Sequence, residues 1–395
     1  MRRVLWIVQD GVLGGPGASQ SVPYLDGLAR RGFGMHLLSF ERRANLEAPG
    51  RAAAVRRRLG RAGVSWTALP YGEGPGGVRT LSQVLRAVAT GRGIVFRERI
   101  DLVHARSYLP GLMALGLGRP FLFDMRGMWP MERVDGGVWR EGSAVHRAAL
   151  ALERTLLDRS VGVVALAHGA REHLPDLDKP FRVIPTAVDL ERFRPGLPPP
   201  PGAEHLVDRE VWVVAGALGT WYLLDAMLDL VAAALARNER GHALLLTEED
   251  ATEALAGLVS RGVARERITV RGVPYEEVPH WFSLAAAGIL LIKSAPSKRA
   301  SAPTKLGEFL ASGVPVVTTP RIGDSGELVR ETGTGVVTGD LSPAGLSRAL
   351  SEIDDLRRDR PALVARCRRA AEERLSLPDA ISAWADLYEE LIPCD

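Results

Sequence analysis

The sequence IKSAPSKRASAPTKLGEFLASGVPVVTT, residues 292–319, is the most informative part of the chain about its architecture. It begins at the end of one apolar run and finishes in another, and apolar residues recur at helical spacing from Leu306 to Leu310 between them. Pro303 precedes this helical part and Gly313 follows it, and both are common at helix ends. The pattern predicts strand, loop, helix and strand in succession, which is the repeating unit of an α/β fold.

Lysine is concentrated in the same stretch. Lys293, Lys298 and Lys305 are three of the four lysines in a chain whose other 46 basic residues are arginine. A loop between a buried strand and a helix exposes backbone N–H groups and the positive helix end, so an anion is its natural occupant. Lysine adds a compact charge suited to phosphate. The pattern therefore favours a phosphate site, and a solvated cationic loop is the alternative.

Length and composition indicate an ordinary two-domain protein. A chain of 395 residues exceeds one typical core. No apolar run is long enough to span a membrane, and the start, MRRVLWIVQDG, is predicted to be a first strand instead of a signal peptide. Cys367 and Cys394 form no CxxC pair and the histidines are scattered, so we expect a reducing cytoplasm and no metal site.

Short apolar strands alternate with helical patterns along the whole chain, which predicts parallel sheets with helices on both faces. The sequence PGLPPPP, residues 195–201, is stiff and cannot join a sheet. We therefore predict an N-terminal domain over 1–194, a linker over 195–204, a second domain over 205–375, and a C-terminal helix within 376–395 that can pack back on the first domain. Two doubly wound domains place the carboxyl ends of their strands on either side of a cleft. The predicted strands cover residues 4–8, 35–40, 101–104, 120–124, 161–165, 182–184, 211–215, 243–247, 268–270, 289–292 and 314–318.

Several segments together resemble a known family. APTKLGEFLASGVPVVTTPRIGDSGELV, residues 302–329, resembles the donor-site region of the retaining glycosyltransferases of family four, which have the two-domain GT-B fold. DLVHARS from Asp101, IPTAVDLERFRP from Ile184 and GALGTWY from Gly216 extend the resemblance over most of the chain. It implies a retaining, metal-independent enzyme that moves a sugar from a nucleotide-diphosphate sugar and needs no other cofactor.

The resemblance also implies which residues bind the donor. Glu308 matches the second glutamate of the family's EX7E motif and would accept hydrogen bonds from the donor ribose. The helix start at Pro303 and Thr304, with Lys305, would face the diphosphate, where fixed cations stabilise the charge of the leaving group. The other donor-site residues that it implies are Gly14, Gly15, Gly216, Thr220, Lys293, Lys298, Ser301, Gly323, Asp324 and Glu327.

In the first half, PFLFDMRGMWPMERVDGG from Pro120 resembles the strand and loop that carry a catalytic histidine in many relatives. Here the candidates are Arg126, as a cation near acceptor or donor phosphate, and Asp124, as its orienting partner or a base. A structural ion pair between the two is the alternative. His104 and Arg106 are predicted to reach the acceptor, and Trp129 to stack on it. Lys305, Arg126, Asp124 and Glu308 thus form the predicted catalytic set.

Two departures from the family pattern leave a second function open. Ala300 stands where the first glutamate of EX7E would be, and no basic residue follows Gly216 before Tyr222, where many members carry arginine and lysine. Our hypothesis is that Lys293, Lys298, Arg299 and Lys305 replace that charge. The alternative is a catalytically silent protein that binds a sugar nucleotide or a partner enzyme. A nicotinamide oxidoreductase is a weaker third reading, because GGPGAS lacks the GxGxxG spacing.

Charge is unevenly shared along the chain. Residues 1–200 carry 29 Lys and Arg against 18 Asp and Glu, and the remainder carries 21 against 29. Part of this excess lies in RAAAVRRRLGRAG from Arg51 and part in Arg92, Arg97 and Arg99. These residues form either solvated helix faces or a surface for an anionic membrane or phosphate-bearing acceptor. The basic half suggests a glycan or lipid-linked acceptor in cell-surface polysaccharide or glycoconjugate synthesis, at the inner face of the membrane. Nucleic acid is not expected, because no aromatic residues interleave with the arginines.

Overall fold

The chain folds into two α/β units in the computed structural model, which describes residues 1–72, 76–174 and 176–393. The first unit comprises Met1–Pro185 and takes up the C-terminal residues from Leu377, and the second comprises Thr186–Ser376. Each unit contains one parallel sheet flanked by helices. This confirms the predicted class of two doubly wound, Rossmann-like folds.

The first sheet has the strand order β3-β2-β1-β4-β5-β6-β7, so β1, β4 and β5 are neighbours at its centre and their following loops meet at one edge. Its strands are β1 Arg3–Val8, β2 Gly34–Glu41, β3 Ser65–Pro70, β4 Leu102–Arg106, β5 Phe121–Asp124, β6 Gly162–Ala165 and β7 Phe181–Val183. Its helices are α1 Gly15–Gln20, α2 Val22–Arg30, α3 Arg43–Glu47, α4 Arg51–Arg61, α5 Gly76–Glu98, α6 Tyr108–Leu115, α7 Trp129–Asp135, α8 Ala144–Arg159 and the C-terminal helix α16 Leu377–Leu391.

The second sheet has the order β10-β9-β8-β11-β12-β13, which repeats the first arrangement with one strand fewer. Its strands are β8 Glu210–Ala215, β9 Gly241–Leu246, β10 Ile268–Arg271, β11 Ala285–Leu290, β12 Val316–Thr318 and β13 Gly335–Val337. Its helices are α9 Leu224–Arg237, α10 Thr252–Ser260, α11 Val278–Phe282, α12 Thr304–Ala311, α13 Ser325–Thr332, α14 Pro343–Arg357 and α15 Arg360–Arg374.

The stretch that begins at residue 292 folds as its pattern predicts. Helix α12 starts after Pro303, and Gly313 follows its end with φ 75°, a conformation that glycine adopts without strain. A Cβ at Gly288 on β11 would lie 2.7 Å from the ring of Phe309, so this glycine allows α12 to pack directly on the sheet. The helix that carries Lys305 and Glu308 is therefore held against the centre of the second sheet.

The chain leaves the first unit earlier than the proline run suggests. The structural division lies between Pro185 and Thr186, and the predicted linker, residues 195–204, belongs to the second unit. Phe193 and Ala203 are fully buried in the second core, and Arg368 donates hydrogen bonds to the backbone oxygen of Phe193. Side-chain packing thus holds the segment around the prolines on the second unit, and amino-acid composition alone does not reveal this packing.

The last helix, α16, belongs to the first unit. It packs on α2, and a Cβ at Gly27 would clash with Ile381, so the two helices meet closely at this glycine. Trp384 and Tyr388 on α16 are 2% and 0% exposed, and they fill the space over the centre of the first sheet. Residues 394 and 395 of the predicted C-terminal segment, with Cys394, lie outside the described residues.

Candidate functional site

An ion pair lies at the start of α12 in the second unit. The Nζ of Lys305 donates to Oε2 of Glu308 over 2.6 Å, one helical turn further on. The Glu308 side chain is 1% exposed whereas that of Lys305 is 21% exposed. The lysine is therefore the member of the pair that an anion in solvent can reach, and it covers the carboxylate.

Tyr275 completes this cluster, and sequence reasoning did not identify it. Its hydroxyl donates to Oε1 of Glu308 over 3.1 Å, so each carboxylate oxygen has one donor. Burial, and then the negative charge of Glu308, raise the pKa of the Tyr275 hydroxyl, which stays protonated and can only donate to the carboxylate. The guanidinium of Arg192 lies 5.3 Å above the Tyr275 ring. Because a carboxylate has about four lone-pair sites, Glu308 can still accept two further hydrogen bonds.

The glycine loop after β8 lies beside Lys305. Gly216 has φ 101°, and a Cβ there would be 3.7 Å from Cε of Lys305. Its own N–H is already bonded to the oxygen of Leu246, and the next described donor in the loop, the N–H of Leu218, is bonded to Glu249. These two N–H groups hold the loop. A Cβ would make only an ordinary van der Waals contact with Lys305, so it is the positive φ that favours glycine at position 216. Thr220, further along, also has a positive φ of 60°.

The other two lysines of the stretch have different surroundings. Lys298 is 7% exposed, and its Nζ lies 3.7 Å from the centre of the Trp221 ring, a close cation–π contact. Lys293 is exposed, and its N–H donates to the oxygen of Trp221. Trp221 therefore joins both lysines to the loop after β8, Lys298 through its indole ring and Lys293 through its backbone oxygen. Lys305 contacts Glu308, Lys298 lies over the Trp221 ring and Lys293 is exposed, so the three lysines of the predicted cluster have different surroundings.

The remaining predicted donor residues surround this region at two helix starts. Ser301, Pro303 and Thr304 are partly exposed and lead into α12. Gly323 donates its N–H to the oxygen of Lys298, which ties the turn before α13 to the lysine loop. Ala300, in place of the first motif glutamate, is 1% exposed and belongs to the packed interior. Asp324 immediately precedes α13 and is partly exposed, and Glu327 is exposed in its first turn.

In the first unit, Asp124 at the end of β5 lies between two arginines. Its Oδ2 is 3.5 Å from Nη1 of Arg106 and its Oδ1 is 3.8 Å from Nη1 of Arg126, while Asp124 itself is fully buried. Burial raises the pKa of Asp124, but Arg126, His104 and Arg106 together outweigh burial, so the carboxyl stays ionised. Burial and then Arg126 lower the pKa of Arg106 to about 10, which leaves it charged at neutral pH.

The loop that bears Arg126 is held in an unusual conformation. Arg126 has φ 58° and Ser107, after the neighbouring strand β4, has φ 80°; both values are strained for residues other than glycine. The N–H of Ser107 donates to the oxygen of Asp124 over 2.7 Å and so joins the two strand ends. Trp129 begins α7, and its ring packs 5.4 Å from Tyr108 and 5.0 Å from Trp139. The Trp129 ring thus has aromatic neighbours within its own unit.

His104 is placed differently from the prediction. It is 0% exposed, lies 3.7 Å from Trp6 in a stacked arrangement, and is covered by Trp384 of α16. The Tyr388 hydroxyl is 2.6 Å from its Nδ1, and its Nε2 is 3.3 Å from Oδ2 of Asp124. Burial lowers the pKa of His104, so the ring is neutral, accepts from Tyr388 and donates to Asp124. This burial argues against direct contact with an acceptor and makes His104 a support for Asp124.

The glycine loop of the first unit already holds a carboxylate. Glu41, fully buried, accepts hydrogen bonds from the N–H groups of Val12 at 2.8 Å and Leu13 at 3.3 Å, and from the hydroxyl of Ser39. A Cβ at Gly14 would lie 3.1 Å from the guanidinium of Arg51, and the surroundings of Gly15 lie outside what the structure describes. The expected approach of a phosphate to this loop therefore has to compete with an internal anion, which the sequence did not reveal.

Among the described residues, no group of three or more His, Cys, Asp or Glu side chains is arranged as a metal site. Cys367 is buried as a free thiol within the second core.

Comparison with protein families gives a match in each half of the chain. The model described as Glycosyltransferase Family 4 matches residues 24–192. The model described as Glycosyl transferases group 1 matches residues 210–354. Together they cover most of the sequence, and each falls on one of the two α/β units. No curated protein sequence matches the chain.

Solved structures with the same fold are distant in sequence. Sucrose-phosphate synthase from Thermosynechococcus elongatus superposes with a TM-score of 0.72 at 17% identity, covering 99% of each chain. HepE from Anabaena, in complex with UDP and glucose, gives 0.70 at 14% identity over 98% of this chain and 99% of its own. A glycosyltransferase from Rickettsia africae gives 0.70 at 14% identity over 100% and 99%. At such identities these structures show the fold alone.

Proposed function

This chain belongs to the glycosyltransferases of family four and group 1, with the GT-B fold, and from that premise we propose that it is a retaining, metal-independent enzyme. Its proposed donor is a nucleotide-diphosphate hexose. Its proposed acceptor is a glycan or lipid-linked intermediate of cell-surface polysaccharide or glycoconjugate synthesis, reached from the cytoplasmic side of the membrane. The observation that carries the proposal is the Lys305–Glu308–Tyr275 cluster at the start of α12.

The cluster suits a ligand that has an anionic part and a diol. When the bond between the sugar and the diphosphate breaks, negative charge develops on the leaving phosphate, and a cation held nearby lowers the barrier. Lys305 is proposed to supply that cation, together with backbone N–H groups at the start of α12. Glu308 is proposed to accept from the two ribose hydroxyls with its remaining lone pairs.

The exposures of the two side chains suggest how donor binding proceeds. Lys305 covers a carboxylate that is 1% exposed. A diphosphate that attracts the lysine draws it away from Oε2 and opens Glu308 to the ribose. Tyr275 stays on Oε1 and keeps the carboxylate in place. The phosphate and ribose parts of one donor thus bind cooperatively, whereas pyrophosphate alone or a nucleoside alone binds weakly.

In the first unit, Arg126 is proposed to contact the acceptor or the donor phosphate, with Asp124 as its orienting partner. Asp124 is fully buried and its Oδ1 has no hydrogen-bond partner. A carboxylate held in this way fixes the charge and direction of both arginines. A general base, by contrast, must come within hydrogen-bond reach of the proton that it takes. The orienting role is therefore favoured over the base.

Binding of nucleotides tests the donor proposal. The Tm of the protein is measured with UDP, GDP, ADP, CMP and dTDP, with pyrophosphate as the control, because a ligand at a hundred times its Kd adds about 2.7 kcal/mol. One diphosphate is expected to stabilise the wild type and not Glu308→Gln.

The matching sugar nucleotides are then followed for transfer or hydrolysis with EDTA present, and the product anomer is assigned by NMR. Stabilisation by none of the five, an inverted product, or loss of turnover in EDTA would each contradict the corresponding part of the proposal.

The second candidate is a catalytically silent protein that binds a sugar nucleotide or a partner enzyme. Buried Ala300 in place of the first motif glutamate, and the absence of a basic residue from Gly216 to Tyr222, favour it. It differs from the enzyme in one measurable outcome: a nucleotide raises the Tm, yet neither hydrolysis nor transfer occurs with any of the corresponding sugar nucleotides over long incubation.

A further inference from the structure

Helix α5 has an apolar face that the protein does not cover. Val78, Leu81, Leu85 and Phe96 are 66%, 60%, 60% and 84% exposed. An α-helix turns by about 100° per residue, so these four side chains fall on one side of the helix, within less than a quarter of its circumference. They form an apolar stripe, interrupted by Arg92 between Leu85 and Phe96, which we call the α5 stripe. It is about 27 Å long from Val78 to Phe96 at 1.5 Å per residue.

The opposite side of the same helix supplies its contact with the fold. Ala87, Gly91 and Ile94 are buried there, and α5 packs on α6 through this side. A Cβ at Gly91 would lie 2.9 Å from Leu117, so the helix is already seated closely. The α5 stripe therefore cannot turn inward to complete the core, since the core-facing side is a different and occupied set of residues.

A row of arginines runs beside the stripe. Arg79, Arg86 and Arg97 recur at helical spacing along one border, and Arg92 lies within the stripe itself. From Gly76 to Arg97 the helix contains no Asp or Glu. The surface thus combines large exposed apolar groups with positive charge only, the composition of a helix that lies in a lipid–water interface.

We propose that the α5 stripe docks this protein on an anionic lipid bilayer, with the apolar side chains in the headgroup boundary and the arginines on the lipid phosphates. This rests on the proposed function in one respect, since it supplies the partner surface at which a lipid-linked acceptor is met. A bilayer is favoured over a peptide partner because a single exposed helix offers no groove in which a peptide could bind. A lipid surface can receive such a helix without a groove. A second copy of the chain fits less well, because a two-fold contact along this helix sets arginine against arginine.

The other basic segment of the first half does not share this surface. Helix α4 connects β2 to β3, whereas α5 connects β3 back to β4 in the reverse direction, and right-handed crossovers put the two helices on opposite faces of the sheet. Within α4, Arg56 lies 5.0 Å over the Trp66 ring and Arg51 bonds to Asn45. The arginines of α4 and α5 therefore lie on opposite faces of the first sheet.

The length and charge of the helices also agree with docking on the surface of a bilayer. Among the described residues, no helix has the length and apolar character needed to cross a bilayer. The α5 helix carries arginine on one border throughout its exposed length, so it lies along a surface instead of entering it end-on. Arginine stems can rest on the acyl boundary while their heads reach phosphate.

Co-sedimentation with vesicles tests the proposal on the full chain. Vesicles of phosphatidylcholine with phosphatidylglycerol are compared with pure phosphatidylcholine at about 0.1 M salt. Three variants are compared with the wild type: L81Q/L85Q/F96Q in the stripe, R79Q/R86Q/R97Q on its border, and the matched control R57Q/R58Q/R61Q on α4. We expect the wild type to bind only the anionic vesicles.

The two α5 variants should lose partitioning, the apolar one by about tenfold or more and the arginine one by about fivefold per arginine, roughly a hundredfold in all. The α4 control should stay within about twofold, because its charges lie on the far side of a sheet and beyond a Debye length of about 10 Å. The substituted positions are exposed, except for the partly exposed Arg86, so we expect the fold to stay intact, which circular dichroism and Tm verify.

Three results would overturn the proposal. The first is that the wild type does not bind anionic vesicles. The second is that the α4 control loses as much binding as the α5 arginine variant. The third is that light scattering shows a dimeric wild type and a monomeric apolar variant, which would assign the stripe to a contact with a second copy. Vesicle binding needs no nucleotide, so this test is independent of the nucleotide-binding test of the proposed function. Either test can fail while the other gives the expected result. Hydrolysis of the sugar nucleotide in solution should be unchanged in all three variants.

Discussion

Replacing Lys305 by alanine separates the structural and chemical roles of the α12 cluster. The substitution removes the cation 2.6 Å from Oε2 of Glu308 and leaves a carboxylate that is 1% exposed with Tyr275 as its one neutral donor. Loss of one partner of a buried polar group costs about 1–3 kcal/mol. Lys305 is 21% exposed, so water can enter where its side chain was and reduce this cost. We expect the free energy of unfolding to fall by about 1–2 kcal/mol.

The effect on catalysis is expected to be larger than the effect on stability. Removing one group that stabilises developing charge on a leaving phosphate costs about a hundredfold in kcat/KM, or about 2.7 kcal/mol of transition-state stabilisation. The assay is steady-state release of nucleotide diphosphate from the sugar nucleotide that the Tm screen identifies, and stability is measured by urea denaturation. Lys305→Arg keeps the charge and is the matched control, which should retain most of the stability.

A double-mutant cycle with Glu308→Gln completes the test. The two residues are in direct contact, so their effects on stability should be non-additive by about 0.5–3 kcal/mol. If Lys305→Ala lowered stability but left kcat/KM and nucleotide affinity unchanged, the pair would be a structural ion pair and the donor role of Lys305 would be refuted. If the two single effects simply added, the coupling between lysine and glutamate would be refuted instead.

Three further predictions follow from buried groups. Tyr388→Phe leaves Nδ1 of His104 without its donor, which should lower the free energy of unfolding by about 1–3 kcal/mol in urea and also reduce kcat/KM; an unchanged urea midpoint would contradict the bond. Burial lowers the pKa of His104, and that of His242 to about 4. The unfolded chain therefore binds more protons below about pH 6.5, and stability should fall as the pH decreases from about 6.5 toward 4, whereas a flat profile would contradict neutral imidazoles. Burial raises the pKa of Cys367 to about 12, so in a Cys394→Ser background a thiol reagent should react at the rate of unfolding, not with the native protein.

The local pattern predicts the second unit well because its elements are defined by short-range rules. The helix start at Pro303, the stop at Gly313 and most of the strands are where apolar runs and turn residues place them. The strands β3 Ser65–Pro70 and β13 Gly335–Val337 were missed, since the first mixes polar and apolar residues and the second has only two apolar residues, Val336 and Val337. β11 begins at Ala285, earlier than predicted, because its alanines give a weak strand signal that the sheet overrides.

The candidate site was less predictable because its contacts join distant parts of the sequence. Nothing near His104 in the sequence indicates that Tyr388, 284 residues later, donates to its ring. In the same way, Tyr275 has no motif that links it to Glu308, and Glu41 has none that links it to the loop after β1. Motif resemblance identified Lys305 and Glu308, whereas the groups that hold or compete with such residues are determined by the folded chain.

The return of α16 to the first unit has a consequence for synthesis on the ribosome. The second unit is one unbroken segment, Thr186–Ser376, and it can fold as soon as that segment has emerged. The first sheet, although translated earlier, lacks Trp384 and Tyr388 until α16 has been translated. The nascent chain therefore keeps an unfinished apolar surface exposed while some two hundred further residues are added, and this half of the protein has the greater need for chaperone protection.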